Sequence, residues 1–465
     1  MNVVLVATYE CGHQPFGLAS PAAWLAEIGA RVTCVDLTRS PLDEAAVSAA
    51  DLVAFHVPMH TATRLALEVV PDVRRLNPNV ELCFFGLYAP ANAELLTGLG
   101  AMAVIGGEFE TELAWLVNDR RRRALAPAVA LARQRFRVPD RSGLPGLERY
   151  AQLQMPDGST RLAGYTEASR GCRHRCRHRC RHCPVVPVYD GRFRVVQRDV
   201  VLADIDQQVD AGARHITFGD PDFWNGVTHA VRIVREMHRR HPDVSYDVTI
   251  KVEHLLRDAR YLAALADTGC LFVTTAVESF DDEVLRRLAK GHTAADFGRV
   301  LGLLRRHGLA VHPTFIPFHP WTTPCDYGAF LERIAAYDLV ASVAPIQLAL
   351  RLLVPAGSLL LDLPEMAAVL GPFDAGRLVF PWRHPDPKVD ALQAAVLEAV
   401  TAGECEGRSR AEIFDAVWRL AGLASRHDCA HRAEAAGDVP HLLEPWFCCA
   451  EPPAVRLGVP AAALI

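Results

Sequence analysis

Four cysteines stand close together in one basic segment of the chain, Arg170–Pro184, which reads RGCRHRCRHRCRHCP. Three of them, Cys176, Cys180 and Cys183, follow the spacing Cx3Cx2C. Three thiolates on one loop can hold three irons of a 4Fe-4S cluster and leave the fourth iron open. An open iron can bind a substrate or cofactor through oxygen and nitrogen, whereas four thiolates would close the site and favour electron transfer. The spacing therefore predicts a catalytic cluster.

The remaining cysteine of this segment, Cys172, belongs to a tandem repeat. The tetrapeptide CRHR occurs at Cys172–Arg175 and again at Cys176–Arg179, and the pair Arg170–Gly171 precedes the first copy only. We interpret Cys172 as a bystander that the extra residues displace. The alternative is that the loop can choose its ligands.

Mixed Cys and His at short spacing can also bind zinc, and the Arg and His content of the loop suggests RNA contact. Zinc sites usually come as two separated pairs, however, and the chain has no second CxxC. The formal net charge is −5, so the chain lacks the basic surplus typical of a nucleic-acid binder. A basic loop in an acidic protein supplies positive charge beside an electron-rich cluster, and we expect no nucleic-acid partner.

Length and composition limit the architecture. The 465 residues suggest about three domains, and a hydrophobic content of 50% excludes a largely disordered chain. We find no signal-peptide pattern and no apolar run near the ~20 residues of a membrane helix. We therefore expect a cytoplasmic protein without a membrane partner. In that reducing compartment, 13 cysteines indicate metal or redox chemistry rather than disulfides.

Residues 1–120 alternate short apolar runs with amphipathic stretches, which predicts an α/β domain with a doubly wound parallel sheet of flavodoxin type. A helix is expected over Pro21–Ile28. Residues 121–164 are interpreted as a solvated linker rather than an anion site. A run of four arginines, Arg120–Arg123, stands at the start of this segment. The predicted strands are Val3–Thr8, Val32–Leu37, Leu52–Val57, Glu81–Phe85 and Met102–Ile105.

A second alternating series, residues 165–365, predicts a partial (β/α)6 barrel with its chemistry at the carboxyl ends of the strands. Residues 366–465 are expected to be mostly helical, with helices over Val389–Ala402 and Arg410–Ala424. Cys405 and Cys429 in this region are expected to be buried small hydrophobic residues. The predicted barrel strands are Tyr165–Ser169, His215–Gly219, Tyr246–Val252, Leu271–Ala276, His312–Ile316 and Ile346–Leu352.

A cysteine loop of this spacing after the first barrel strand resembles the radical S-adenosylmethionine (SAM) superfamily. The resemblance implies that Cys176, Cys180 and Cys183 bind the cluster. His182 stands where the family usually has an aromatic residue that packs on the SAM adenine. Gly219 and Asp220 follow the second strand and resemble the family's Gly-Gly-Glu stretch, which meets the SAM amino group; here Asp replaces Glu.

Two further strand ends carry the same resemblance. Glu278 and Ser279 are similar to the G-x-E-S stretch that lies near the methionine and ribose of SAM, and Ile316 belongs to a segment like the one beside adenine. The alternative is that Glu278 and Asp220 cap the helices that follow them. In this order on successive strand ends, the short matches together imply a SAM site.

The N-terminal domain resembles the cobalamin-binding domain found ahead of many radical SAM modules. Gly106–Glu110 is similar to the family's GEGE stretch, and Phe16–Leu18 is similar to its P-L-G-L opening. The cobalt-ligand motif DxHxxG is absent, so His13 is interpreted as an ordinary loop histidine. The glycines named here serve equally as turn residues. The resemblance implies a cobalamin site near Gly12, Gly17, Gly86, Gly106, Gly107 and Glu108.

The segment Phe447–Pro452, FCCAEP, looks like the signature of the CUAEP/CCAEP-tail radical SAM proteins. Some of them carry selenocysteine where Cys449 stands. Selenium is more acidic and more nucleophilic than sulfur, so a position that tolerates the exchange ought to do thiolate chemistry. The resemblance implies a catalytic role for Cys448 and Cys449; the alternative is a terminal pair without a role.

The implied activity is cleavage of SAM to methionine and a 5′-deoxyadenosyl radical, which abstracts hydrogen from an unactivated carbon. The implied cofactors are the 4Fe-4S cluster, SAM and cobalamin. The implied partners are a one-electron reductant of flavodoxin or ferredoxin type and an unknown substrate. With cobalamin bound, we expect methylation of a carbon or phosphorus centre, while rearrangement or ring formation stays open.

Two alternatives remain. One is a non-catalytic iron–sulfur or cobalamin module that acts as a redox carrier or sensor, if Cys172 fills the fourth position of the cluster. The other is a methylthiotransferase-like enzyme, whose additional cluster would use Cys11, Cys34 and Cys83.

Overall fold

The computed structural model describes residues 1–118, 128–173, 180–424 and 439–444. The N-terminal part contains a parallel sheet with the strand order β2-β1-β3-β4-β5-β6. This is the predicted flavodoxin order, extended by a short strand β6 within the segment 121–164, which was expected to be a linker. Ligands of such sheets bind at the carboxyl ends where the strand order reverses, here between β1 and β3. The strands are β1 (Asn2–Ala7), β2 (Arg31–Asp36), β3 (Leu52–His56), β4 (Glu81–Phe85), β5 (Ala101–Gly107) and β6 (Ala128–Ala130).

Helices cover both faces of this sheet because its strands are apolar on both sides. Alternate residues of β1 enter opposite cores: Val4 and Val6 pack on one face, and Val3 and Leu5 on the other. The helices are α1 (Phe16–Glu27), α2 (Glu44–Ser48), α3 (His60–Leu76), α4 (Ala93–Gly98) and α5 (Phe109–Asn118), with a 3-10 turn at Pro90–Asn92.

The first helix is longer than predicted. We expected it to begin at Pro21, since proline favours the first turn of a helix. It begins at Phe16 and contains Pro21. Leu18, Ala22 and Leu25 are buried against the sheet, and this burial offsets the hydrogen bond that proline cannot donate.

The second sheet has the strand order β14-β13-β12-β11-β8-β7-β15. Strands β8, β11, β12, β13 and β14 are parallel and form a half-barrel. Strands β7 and β15 extend this sheet in antiparallel fashion. A two-stranded ribbon of β9 and β10 stands beside it. The strands are β7 (Gln152–Gln154), β8 (Thr160–Thr166), β9 (Ser169–Gly171), β10 (Phe193–Val195), β11 (His215–Phe218), β12 (Ser245–Thr249), β13 (Cys270–Glu278), β14 (Ala310–Phe315) and β15 (His441–Leu442).

Most helices of this part cover the outside of the half-barrel. The helices are α6 (Val185–Tyr189), α7 (Arg198–Asp210), α8 (Val227–Arg240), α9 (Val252–Arg257), α10 (Leu262–Ala266), α11 (Asp282–Arg287), α12 (Ala294–Arg306) and α13 (Pro324–Ala336). Helix α6 instead follows the cysteine loop and contacts β9 and β5. Short 3-10 helices occur at Leu147–Arg149, Phe223–Gly226, Ala259–Tyr261, Pro345–Leu348 and Leu359–Asp362.

The predicted sixth barrel strand over Ile346–Leu352 was wrong. Pro345–Leu348 form a 3-10 helix instead, and one parallel bridge between Phe318 and Arg351 stands where the strand was expected. The backbone N–H of Phe315 donates to Oε1 of Gln347 at 2.9 Å. A side chain therefore takes the hydrogen bond that a sixth strand would have accepted.

The C-terminal part is helical, as predicted, with α14 (Pro364–Ala367), α15 (Pro387–Cys405) and α16 (Arg410–Leu420). Helices α15 and α16 bury Val396 and Phe414 in the core of the half-barrel. Cys405 was expected to be buried, and this was wrong: as the last residue of α15 it is exposed. Cys429 lies outside the described residues. No helix in the described part of the chain is long and apolar enough to cross a membrane.

Candidate functional site

The carboxyl ends of the two parallel sheets contribute to one cavity of about 360 Å³. The N-terminal sheet supplies the loops after β1, β3 and β4, and the half-barrel supplies the ends of β11 to β14 together with the cysteine loop. The volume is in the usual range for a small-molecule site. Two independent sheets therefore present their ligand-binding edges to the same space.

Three cysteines of the basic segment line this cavity: Cys172, Cys180 and Cys183. All three are thiols without a disulfide bond to another described residue. The end of the loop is fixed to the barrel, because the N–H of Arg181 donates to the carbonyl of Leu288 at 3.0 Å. Cys176 lies outside the described residues.

His182 of the cysteine loop contacts Glu278 at the end of β13. Oε1 of Glu278 lies 3.1 Å from Nε2 of His182 and 3.0 Å from Nζ of Lys290. Burial would raise the pKa of the Glu278 carboxyl, but the charges of Lys290 and His182 hold it at about 2. The backbone of Glu278 has a φ of +66°, a left-handed conformation that is uncommon for a residue with a side chain. The end of β13 thus bends where it presents a fixed carboxylate.

Asp220 lies at the end of β11 on the same cavity. It accepts hydrogen bonds from the Ala168 N–H at 2.8 Å and from Oγ of Ser169 at 2.6 Å. Burial raises the pKa of Asp220 to about 7. These bonds tie the end of β11 to the segment that leads into the cysteine loop, so Asp220 does not cap a following helix.

The other predicted SAM residues differ in position. Gly219 lines the cavity, and a Cβ added there would stand 1.8 Å from the hydroxyl of Tyr165. Oγ of Ser279 accepts from the N–H of Asp281 at 3.0 Å, which is a local turn contact. Ile316 is buried in an apolar cluster with Leu352. Gly219 thus lines the same cavity as His182, Asp220 and Glu278. Ser279 and Ile316 instead make contacts within the surrounding structure.

Arg170 joins the two parts of the molecule beside the cysteine loop. Its guanidinium donates to both oxygens of Glu110 in α5, at 2.9 and 2.6 Å, and to Glu167 at 2.6 Å. Glu108 lies 3.7 Å away, accepts from the Tyr189 hydroxyl at 3.0 Å, and has its pKa raised to about 7 by burial. Sequence analysis quoted Glu110 within a motif but missed this network, since its members are far apart in the chain.

The glycines predicted for cobalamin face protein atoms at close range. A Cβ at Gly17 would lie 1.9 Å from the ring of His56, and one at Gly106 would lie 2.2 Å from Pro90. Gly12, Gly86 and Gly107 have positive φ. At these positions the absence of a side chain serves tight turns and close packing. Among them, Gly17 and Gly107 line the cavity.

The wall formed by the N-terminal sheet is mainly apolar, and includes Phe16, Met59 and Tyr88. Glu10 stands in the loop after β1 and pairs with His56 at 3.3 Å. His13 packs its ring 4.8 Å from that of Tyr165, and burial lowers the pKa of His13 to about 4. This wall therefore presents mainly apolar side chains to the cavity.

The last described segment also reaches this wall. Leu442 and Glu444 line the cavity, and a Cβ at Gly12 would lie 2.2 Å from Oε2 of Glu444. The short strand β15 therefore brings the chain back to the loop after β1. Cys448 and Cys449 lie outside the described residues.

The interior of the half-barrel is polar. Oδ1 of Asp247 accepts from Oγ1 of Thr217 at 2.7 Å and lies 2.9 Å from Nε2 of His215. The ring of His312 stacks on Phe272 at 4.2 Å. One threonine from each of four neighbouring strands also lines the cavity: Thr217, Thr249, Thr274 and Thr314. No pattern of local spacing marks these residues, so sequence analysis missed them.

The three cysteines considered for an additional N-terminal cluster are not brought together. Cys11 lines the cavity, whereas Cys83 is fully buried within the sheet core. Cys34 lies on β2, which β1 and β3 separate from β4, the strand of Cys83. Burial raises the pKa of Cys34 to about 12.

Residues 172–334 match the family described as the Radical SAM superfamily. The chain carries a radical SAM domain. The radical SAM methyltransferase TsrM from Kitasatospora setae, solved with its tryptophan substrate and the SAM analogue aza-SAM, is similar in structure with a TM-score of 0.65 and 19% identity, over 87% of this chain and 90% of TsrM. No curated protein matches the sequence.

A second solved structure is similar to the same extent. OxsB, a cobalamin-dependent S-adenosylmethionine radical enzyme solved with aqua-cobalamin, has a TM-score of 0.66 and 14% identity, over 87% of this chain and 68% of OxsB. Together these matches confirm the predicted fold: a flavodoxin-type sheet, a radical SAM half-barrel and a helical C-terminal part.

Proposed function

We propose that this radical SAM protein holds a 4Fe-4S cluster on thiolates of the cysteine loop, SAM at the strand ends of the half-barrel, and cobalamin against the N-terminal sheet. The observation that supports this most is the shared cavity, which Cys180, Cys183, Asp220 and Glu278 all line. The thiols and the buried carboxylates suit the cluster and SAM, and the apolar wall suits a corrin ring. The glycine contacts and the missing DxHxxG histidine offer cobalamin no comparable cradle or ligand.

When bound, SAM and a reduced cluster supply a carbon-centred radical able to remove hydrogen from an unactivated carbon, and cobalamin supplies methyl-transfer chemistry. The chain's own residues bind and orient. Glu278 stays ionised because Lys290 and His182 stabilise its charge, so it can accept hydrogen bonds from an ammonium or hydroxyl group. Asp220, with its pKa raised to about 7, fixes the strand end against the cysteine loop.

The substrate would enter the polar interior of the half-barrel. Both hydrogen bonds of Asp247 described above use Oδ1, which leaves Oδ2 to accept a donor from a ligand. The threonine hydroxyls around it can both donate and accept. These groups favour a substrate with hydroxyl or amine groups near the reacting carbon over a purely apolar one.

The finer aspects of the function remain part of this proposal. A one-electron reductant of flavodoxin or ferredoxin type would reduce the cluster, methylation of carbon or phosphorus is the expected outcome, and the protein would act in the cytoplasm. Cys448 and Cys449 would serve as thiolates in the reaction. This role is proposed from the resemblance of the segment FCCAEP to the CUAEP/CCAEP tail.

The test is an anaerobic assay on the full chain. After cluster reconstitution and reduction, we expect 5′-deoxyadenosine or S-adenosylhomocysteine from SAM, and an EPR signal that changes when SAM is added. Cys180→Ala and Cys183→Ala should remove both, while Cys325→Ala, at an exposed cysteine of α13, should not. Absorbance of bound hydroxocobalamin tests the third cofactor separately. A fully loaded cluster that ignores SAM would instead support a redox carrier.

A further inference from the structure

We propose that Cys172, rather than Cys176, completes the cluster's ligand set, so that the three thiolates are those of Cys172, Cys180 and Cys183 with the spacing Cx7Cx2C. This inference rests on the proposed function, since it assigns the ligands of the cluster that the function requires. It reverses our interpretation of Cys172 as a bystander.

Cys172 lies near the other two proposed ligands. Cys172, Cys180 and Cys183 all line the same cavity. Cys172 is close enough to Cys180 for their charges to interact, and it belongs to the same apolar cluster as Cys183 and Val185. Three thiols of the described residues thus line one space at the rim of the half-barrel.

Hydrogen bonds from side chains hold the backbone on both sides of Cys172. The side chain of Asn225, which is fully buried, donates to the carbonyl of Gly171 at 2.9 Å and accepts from the N–H of Arg173 at 2.8 Å. Nζ of Lys251 donates to the Arg173 carbonyl at 2.8 Å. Hydrogen bonds on both sides therefore fix Cys172, as a metal ligand requires.

The positive charge of Lys251 stands beside the segment of Cys172. A cluster thiolate needs positive charge nearby when it is removed from water. Lys251 lies beside Cys172 and interacts with it electrostatically. Asp222 lies 3.6 Å from Nζ of Lys251, and its charge is also shared with Nδ1 of His254. The ammonium group is thereby held by the Asp222 carboxylate and by the carbonyl of Arg173, the residue after Cys172.

Cys172 stands at a defined position in the fold, at the end of a short strand. It follows β9 directly, and Gly171 turns the chain with a φ of +74°. A Cβ at Gly171 would lie 2.5 Å from the ring of Tyr189, so glycine is required for this turn. The match to the radical SAM family also begins at residue 172. In this arrangement the repeated CRHR adds length between the first and second ligands.

Among the described residues, no three His, Cys, Asp or Glu side chains come close enough to hold a single metal ion. A 4Fe-4S cube spaces its ligand sulfurs more widely than one ion does, because each sulfur binds a different iron.

The experiment compares Cys172→Ala, Cys176→Ala, Cys180→Ala and the exposed control Cys325→Ala in the full chain. Each is reconstituted anaerobically, and iron and sulfide per chain, visible absorbance and the EPR spectrum of the reduced form are measured. We expect Cys172→Ala to lose iron to the level of Cys180→Ala, and Cys176→Ala to keep the wild-type content and spectrum. Thermal unfolding of the metal-free variants, with Cys172→Ser as a second substitution, separates ligand loss from misfolding.

Loss of the cluster in Cys176→Ala with retention in Cys172→Ala would overturn the assignment and leave the proposed function standing. Loss in both would also overturn it, in favour of four thiolates. A wild-type protein that builds no cluster would instead end the proposed function together with this assignment.

Discussion

The two walls of the cavity are built on different principles. On the half-barrel, carboxylates with defined partners stand at the strand ends: Glu278 with Lys290 and His182, and Asp220 with donors from the neighbouring segment. On the N-terminal sheet, the wall is mostly apolar and is shaped by close packing, as where the ring of His56 fills the space beside Gly17. One wall is organised by charge and the other by shape.

This difference shows that two parallel sheets with the same kind of ligand-binding edge need not recognise the same chemistry. Fixed carboxylates and thiols suit a small polar ligand such as SAM. An apolar wall with few free polar groups suits a large flat one. The following four predictions test whether the distinction holds, from the largest expected effect to the smallest.

Arg170 connects the two walls, so its removal should cost the most. Arg170→Met would leave Glu110 buried without its cation, and we expect the free energy of unfolding to fall by about 3–5 kcal/mol. Urea unfolding followed by circular dichroism measures the change. Arg286→Met, which breaks an exposed pair with Glu283, should shift the midpoint little. Equal shifts in the two variants would contradict the role of Arg170.

Glu278→Gln should remove the charge that stabilises the wall of the half-barrel. Since the folded protein lowers the pKa of Glu278 from 4.5 to about 2, the ionised carboxylate contributes stability above pH 4.5. We expect a loss of about 2–3 kcal/mol at pH 7. The difference from wild type should shrink as the pH falls from 4.5 towards 2, because the wild-type carboxylate then takes up its proton. A difference that is independent of pH would exclude this charge as the cause.

Asp220→Asn should show the opposite dependence. Burial raises the pKa of Asp220 from 3.8 to about 7, so the folded wild type keeps a proton that the unfolded chain releases, and it loses stability as the pH rises through this window. The neutral amide has no such cost. We expect the variant to gain about 2 kcal/mol relative to wild type between pH 4 and pH 7. Unfolding at several pH values measures this slope, and a flat difference would argue against a protonated Asp220.

On the N-terminal wall, the space beside a glycine should matter. Gly17→Ala would push a methyl group into the ring of His56, and we expect a loss of about 1–2 kcal/mol. Gly98→Ala, in α4 with no atom within 4 Å of the added Cβ, should be neutral or slightly stabilising. Thermal unfolding of both variants gives the comparison. If Gly17→Ala is as stable as Gly98→Ala, packing does not shape this wall.

The sequence predicted local features well. The apolar run Glu81–Phe85 is β4 over its full range, because a continuous apolar strand between turns has a clear pattern. Glu278 and Asp220 could be found because each belongs to a short motif that resembles the radical SAM family and stands at the end of a predicted strand. The sixth barrel strand failed because the side chain of Gln347 replaces a backbone partner, which no periodicity reveals.

Contacts between distant parts of the chain were beyond reach for the same reason. Arg170 and Glu110 are 60 residues apart, and neither has a local pattern that names the other. The surroundings of Cys172 depend on Asn225 and Lys251, which follow two different later strands. Spacing alone favoured Cys176, while the fold supplies a position and a nearby charge for Cys172.

The return of the chain to the N-terminal wall through β15 also has a consequence for folding. Leu442 of β15 pairs with Leu153 of β7, and the strands β8 to β14 all lie between these two residues in the chain. A contact between residues so far apart in sequence carries a large entropy of loop closure. We therefore expect this contact to form late in folding, after the strands of the half-barrel have paired.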